Sequence, residues 1–183
     1  MKYIKFITMF VCLLLLCGCI GIVGPSDKVD QALKKYVNND RDIIKELNDR
    51  LDSQDLTDAE KKRYEKIIKN EYNNIKYEIK NEEITEFTAK VTVDIKVLDL
   101  YGASKSAEED LIDDPTDFYT DGEYDFHKFV DYKLSKMENV KDYKDYVIVF
   151  NLTKNDDIWY IDDLDEETLE KLHGIYNYDE KNE

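Results

Sequence analysis

Phe87, Ala89, Val91, Val93, Ile95 and Val97 alternate with Thr88, Lys90, Thr92, Asp94 and Lys96. Side chains on a strand point to opposite faces in turn, so this stretch has one apolar and one wet face. A chain with such a strand must cover the apolar face and leave the other in water. An antiparallel sheet covered on one side meets that demand. The run is longer than an ordinary strand, which predicts a bend or bulge within it.

Candidates for the covering layer come earlier in the chain. Val29, Leu33, Tyr36 and Val37 recur at helical spacing behind Ser26, the expected N-cap, with Asp27 in the first turn. Asn38-Asn39-Asp40 predicts a break, after which Ile43, Ile44, Leu47 and Leu51 continue the stripe. Thr57 and Glu60 form a capping box. It opens a helix carrying Tyr64, Ile67 and Ile68, with Tyr72 at its frayed end. Ile75, Tyr77 and Ile79 then alternate as a shorter strand, with a turn expected near Asn81 to Glu83.

Residues 101–123 are acidic, contain Gly102, Pro115 and Gly122, and show no clear period; they read as a long surface loop. Phe126, Phe129, Val130, Leu134 and Met137 restore the helical period. Tyr146, Ile148, Phe150 and Leu152 make a strand, and Val147 and Val149 make its other face apolar too, which predicts a central place in the sheet. Lys154 to Asp157 turn the chain into a hairpin strand, Ile158-Trp159-Tyr160-Ile161. Asp165 caps a last helix with Leu169 and Leu172, closed by Gly174. The expected fold class is α+β, with N-terminal helices packed on an antiparallel sheet. One domain is expected over 26–176, with a loose tail over 177–183.

Two features carry a resemblance. One is the long alternating strand after a shorter partner. The other is the closing hairpin, in which a lone Trp159 follows the acidic turn Asn155-Asp156-Asp157. With them the chain resembles small lipoprotein domains of the cystatin-like or NTF2-like type. The resemblance implies a strongly curved sheet forming a cone. In such a cone Tyr146, Phe150, Trp159 and Tyr160 could line a pocket mouth for a small apolar or carbohydrate ligand, or could pack as ordinary core.

At the N-terminus, Lys2 and Lys5 precede a nearly unbroken apolar run from Phe6 to Leu16, the pattern of an export signal. The run ends in Leu16-Cys17-Gly18-Cys19. This resembles the lipobox of prokaryotic membrane lipoproteins: an apolar residue, then a small residue just before an obligatory cysteine. The resemblance implies that residues 1–18 are a signal peptide. It also implies that Cys19 carries a lipid and that 19–25 tether the domain to the outer face of the cell membrane. An uncleaved helix over Phe6 to Val23 is the alternative, weakened by Gly18, Gly21, Gly24 and Pro25.

The net charge is −16. Loss of residues 1–18 removes two lysines and no acid, leaving 24 basic against 42 acidic side chains. Nucleic acid is thereby disfavoured as a partner, since its phosphates need Lys and Arg. The expected partners are the membrane through Cys19 and a small ligand or a protein. All three cysteines, Cys12, Cys17 and Cys19, lie in the export segment, so the body has no thiol nucleophile or cysteine metal site. His127 falls on a polar helix side, and His173 suits a helix C-terminus, where a protonated ring would favour the dipole. The loop from Asp117 to Lys128 overlaps part of an EF-hand pattern but has Lys128 where a bidentate Glu is required. No metal or cofactor is expected. The function expected is non-catalytic binding by an anchored domain. The alternatives are an enzyme with an Asp or Glu base in the concave pocket and an assembly protein docking a basic partner on 101–123.

Overall fold

The computed structural model describes residues 23–179. The export segment, Cys19 and most of the tether lie outside these residues. Helices α1 (Pro25–Val37), α2 (Arg41–Asp52) and α3 (Asp58–Asn74) come first, then strands β1 (Lys76–Ile84) and β2 (Thr88–Leu98). Helix α4 (Leu100–Asp113), a 3-10 turn (Pro115–Phe118), a miniature hairpin β3 (Tyr119–Thr120) and β4 (Glu123–Tyr124), and helix α5 (Phe126–Glu138) follow. Strands β5 (Tyr143–Asn155) and β6 (Ile158–Ile161) and helix α6 (Glu166–Leu172) close the order. The fold is α+β, with helices on a four-stranded antiparallel sheet of order β1-β2-β5-β6.

The alternating stretch behaves as its pattern demands. Ala89, Val91, Val93, Ile95 and Val97 are buried in one cluster with Val29 and Leu33 of α1 and Ile67, Ile68 and Tyr72 of α3. Full burial of each larger aliphatic side chain contributes about 1.5–3 kcal/mol, so this strand is a main source of stability. The bulge expected in the long strand lies instead in its edge neighbour. β2 pairs with β5 without a shift from Thr88↔Thr153 to Leu98↔Tyr143, whereas β1 shifts register between Ile79 and Asn81. An edge strand can absorb an extra residue because only one ladder is disturbed.

That bulge explains two further departures. The turn expected at Asn81 to Glu83 is strand, and the chain reverses at Thr85, whose amide donates to the Thr88 carbonyl. Glu82 now opposes Val91 on the helix side of the sheet. There it accepts the Ser26 amide at 2.8 Å and the Ser26 hydroxyl. Ser26 is therefore not the N-cap; Gly24 is, with Pro25 as the first helical residue and Asp27 accepting the Gly24 amide at 3.1 Å. A carboxylate from β1 satisfies a free amide that a side-chain cap would otherwise take.

The break at Asn38-Asn39-Asp40 is present. Asn39 has φ of 52°, and the Asp40 side chain caps α2. The Thr57–Glu60 capping box opens α3. Thr57→Ala is expected to lower stability by about 1–2 kcal/mol, read as a shift in urea midpoint with unchanged slope. Tyr72 is not frayed; it is buried, with its ring edge-on to Tyr36 at 5.2 Å.

Residues 101–123 are mostly not a loop. Asp99 caps α4 by accepting the Gly102 amide at 2.9 Å, and Ala107 packs with Phe118 and Phe129 in a second, small cluster. α5 is tied to α3 by Arg63, whose guanidinium donates to Asp131 at 2.8 Å and Glu138 at 3.0 Å. The tail is not loose over 177–179. Tyr178 donates to Asp99 at 3.2 Å, and Asp179 accepts from Lys105 at 2.6 Å. β6 pairs only with Leu152 to Asn155, so most of β5 has no strand on that side. The chain after α6 packs on the side chains of this stretch, with Tyr176 against Tyr146 at 5.6 Å and the Lys144 ammonium 3.6 Å from the Tyr178 ring.

Candidate functional site

The helices cover one face of the sheet; the strands give the other face to solvent. Strand alternation puts Val147 and Val149 of β5 and Ile158 and Tyr160 of β6 on that open face, with Val147 58% exposed and Tyr160 53%. β5 does lie inside the sheet, between β2 and β6, but its second apolar face is not covered by any described residue. Thr92 faces Val149 and Thr153 faces Tyr160 across the ladders. Exposed aliphatic and aromatic groups on a sheet face with threonines between them suit a partner's apolar surface.

Toward the other end the same face is charged. Lys76, Glu78, Asp94, Lys96, Asp145 and Val147 surround an open depression of about 520 Å³ that Tyr77, Ile95 and Tyr146, whose side chains turn to the helix side, also border. The charges are matched in pairs. Lys80 reaches Asp94 at 3.5 Å, Lys96 reaches Asp145 at 3.6 Å, and the Lys76 ammonium stands 5.0 Å from the Tyr143 ring. Exposed pairs of this kind contribute little stability each, but they leave the depression near electroneutral.

The four aromatic residues expected at a pocket mouth are not brought together. Tyr146 opposes Ile95 and points to the covered side of the sheet, where its ring meets Tyr176 at 5.6 Å. Phe150 and Trp159 are buried in the main core, so they pack rather than line an opening. Tyr160 points to the opposite face from Trp159, as neighbours on a strand must.

Two carboxylates are buried among the described residues, both on α3. Glu60 accepts the Thr57 amide at 2.6 Å, the Thr57 hydroxyl at 2.7 Å and His127 Nδ1 at 3.0 Å. Burial works against its charge, but the Thr57 and His127 hydrogen bonds outweigh it and hold the carboxyl below its usual range. His127 thus joins α5 to the start of α3, a positioning role the sequence did not reveal. Glu71 is fully buried. One oxygen accepts the Leu98 amide at 2.7 Å, and Oε1 has no partner. Burial pushes its pKa up to about 8, against the pull of the Leu98 amide. A buried acid with raised pKa is what an enzyme base would require. Glu71, however, sits between α3, the end of β2 and Gly174, and it does not line the depression on the open face. The other histidine, His173, packs on Tyr72 at 5.7 Å, and burial lowers its pKa to about 4. It ends α6 as a neutral ring, not as the protonated cap expected from the sequence.

The acids of α4 and the turn after it line a second depression of about 600 Å³, with Asp110, Asp113, Asp114 and Asp117 beside Lys128 and Tyr132. Lys136 and the Tyr132 hydroxyl already bind Asp110. The incomplete EF-hand pattern folds as the β3–β4 hairpin. Asp125 caps α5 through the Lys128 amide and also accepts the Thr120 hydroxyl. Lys128 Nζ binds the Tyr119 carbonyl at 3.2 Å. No group of three or more metal-ligating side chains occurs among the described residues. No helix among them is long and apolar enough to cross a membrane.

Comparison of the chain with family models, with curated proteins and with solved structures finds no significant match.

Proposed function

We propose that this protein is an extracytoplasmic lipoprotein, held to the cell membrane through Cys19, whose domain binds a partner on the open face of its sheet and performs no catalysis. The observation that carries the binding reading is the exposed set Val147, Val149 and Tyr160 on a face that no described element covers. Leaving these apolar side chains in water is unfavourable by the same area term that builds the core, so a surface that gathers them suits an association. The apolar half supplies area, and the charge-matched depression beside it can accept a polar rim without leaving a net charge unpaired. The reading of the anchor rests on the sequence: a basic head, an apolar run and Leu16-Cys17-Gly18-Cys19.

Native mass spectrometry of protein extracted from the membranes of its own cells tests both halves. The expected species begins at Cys19 with a lipid and carries a discrete adduct, small or protein. The Val149→Lys variant keeps the lipid and loses the adduct. Cys19→Ser is expected to retain residues 1–18 and to lose the lipid mass. A Cys19→Ser protein processed and retained like the wild type overturns the anchor. A lipidated protein with the same adduct in the Val149→Lys variant overturns the open face as the binding surface.

A further inference from the structure

The helix layer stops short of one end of the sheet. α1 begins opposite Glu82, yet β1 runs on to Ile84 and β2 is entered through Phe87. Both residues lie on the helix side, Ile84 opposite Ala89 and Phe87 beside Lys154, whose amide donates to the Phe87 carbonyl at 2.8 Å. With no described helix over them, Ile84 is 54% and Phe87 61% exposed. The β5–β6 turn reaches the same end and adds exposed Ile158, and Val23, where the described chain begins, is exposed too. Large apolar residues at the tips of two adjacent hairpins have no role in the core, and they sit where the chain enters the domain.

We infer that this end of the domain is seated in the surface of the bilayer that holds the anchor, with Ile84, Phe87 and Ile158 entering the interfacial layer. This rests on the lipid at Cys19 proposed above. From Cys19 to Gly24 is five residues, a reach of about 17 Å at most when extended. The helix entry is bound to Glu82, only a few residues along β1 from the tip. The tether is thus too short to turn this end away from the membrane. The opposite end of the sheet lies about 33 Å off, at ten strand steps along β2. The charges say which lipid. Glu83, Glu86, Asp156 and Asp157 ring the tips with Lys90 and Lys154. An acidic rim is repelled by anionic headgroups and tolerated by zwitterionic ones. The contact is shallow, since the apolar groups are at the turns and the outer sides of β1 and β2 behind Ile84 and Phe87 are polar.

The chain after Cys19 has no cysteine, so single thiols can be placed at will. Lipidated protein beginning at Cys19 and carrying Phe87→Cys, Ile158→Cys or Lys141→Cys is labelled with a polarity-sensitive fluorophore. It is reconstituted in phosphatidylcholine vesicles containing nitroxide-labelled lipid. Labels at 87 and 158 are expected to shift to the blue and lose most of their emission to the nitroxide. The label at 141, beside the far end of β2, should do neither. Added anionic lipid should restore emission at 87 and 158 while the protein stays bound. Vesicle-bound protein in which 87 and 158 behave like 141 overturns the seating and leaves the anchor standing. Unlabelled Phe87→Cys protein that an added oxidant such as diamide converts to a disulfide-linked dimer, with no lipid quenching of the labelled protein, gives the tip to a second copy and likewise overturns it. Protein with no lipid mass and no vesicle association overturns the anchor, and the seating with it.

Discussion

Between pH 5 and pH 8 the wild-type protein is expected to lose stability relative to its Glu71→Gln variant, by roughly 3–4 kcal/mol in all. The cause is the one oxygen of Glu71 without a partner in a fully buried site. Its pKa is raised from 4.5 to about 8 by burial, with the Leu98 amide opposing. Over that window the unfolded chain has already released the proton and the folded protein still holds it. The unfolded state binds fewer protons, so stability falls as pH rises and levels off above about 8. Glutamine keeps the shape and an oxygen for the Leu98 amide but cannot ionise.

Urea denaturation of both proteins at several pH values reads the effect as a difference, which removes the other titrations. Those run the opposite way. Asp30, Asp110, Asp125, Glu138, Asp165 and Asp179 are held below the usual range by hydrogen bonds from Lys34, Lys136, the Lys128 amide, Arg63, Thr168 and Lys105. Their stabilisation is present above the ordinary carboxylate range and is lost in acid. Neutral His173 likewise loses stability for the fold as pH falls from 6.5 toward 4. Parallel curves for wild type and Glu71→Gln from pH 5 to 8 would show that the carboxyl is not buried as described.

Gly174→Ala is the second large effect, a loss on the order of 3–4 kcal/mol and a fall in Tm of about 10 °C. Gly174 ends α6 with φ of +69°, which costs a non-glycine residue about 1 kcal/mol. The larger part is steric. An added Cβ would lie 2.3 Å from the Leu98 carbonyl oxygen, a backbone atom in a buried strand end that cannot swing aside. The turn would have to retreat, and with it the bond from the Tyr101 amide to the Gly174 carbonyl, now 2.8 Å. Gly122→Ala is the control. Gly122 also has positive φ, at +88°, but its Cβ would meet nothing within 4 Å. Thermal melts should show a drop several times smaller at 122 than at 174. Equal drops would mean that conformation alone, not the contact with Leu98, makes glycine necessary. Because the Glu71 carboxyl carbon stands 3.6 Å from the same Cβ position, the Glu71 and Gly174 effects will not add.

The strands were legible where one face alone was apolar, and the helices where a stripe was bounded by caps. β2, the break at Asn38 to Asp40 and the Thr57–Glu60 box all follow from local chemistry. α4 was not legible because few of its positions are buried, so its acids erase the period, and Gly102 looks like a breaker. Its signal was Asp99, an N-cap three residues before that glycine. Glu71 was also visible in principle. It follows Tyr64, Ile67 and Ile68 by seven, four and three positions, which puts an acid on the buried stripe of α3. The direction of Glu82 was not legible, since a one-residue bulge reverses every side chain beyond it. The open face of β5 could not be told from a buried one, because alternation says which residues share a face and not what lies over it.

The short β6 leaves a stretch of β5 main chain without a strand partner among the described residues, and Tyr176 and Tyr178 pack against the side chains of that stretch. A bare strand edge recruits the same edge from a neighbouring molecule, and the hazard grows when molecules are crowded together. Tyr176 and Tyr178 crowd that side of the sheet, the kind of cover that keeps a four-stranded antiparallel sheet from adding a neighbour's strand.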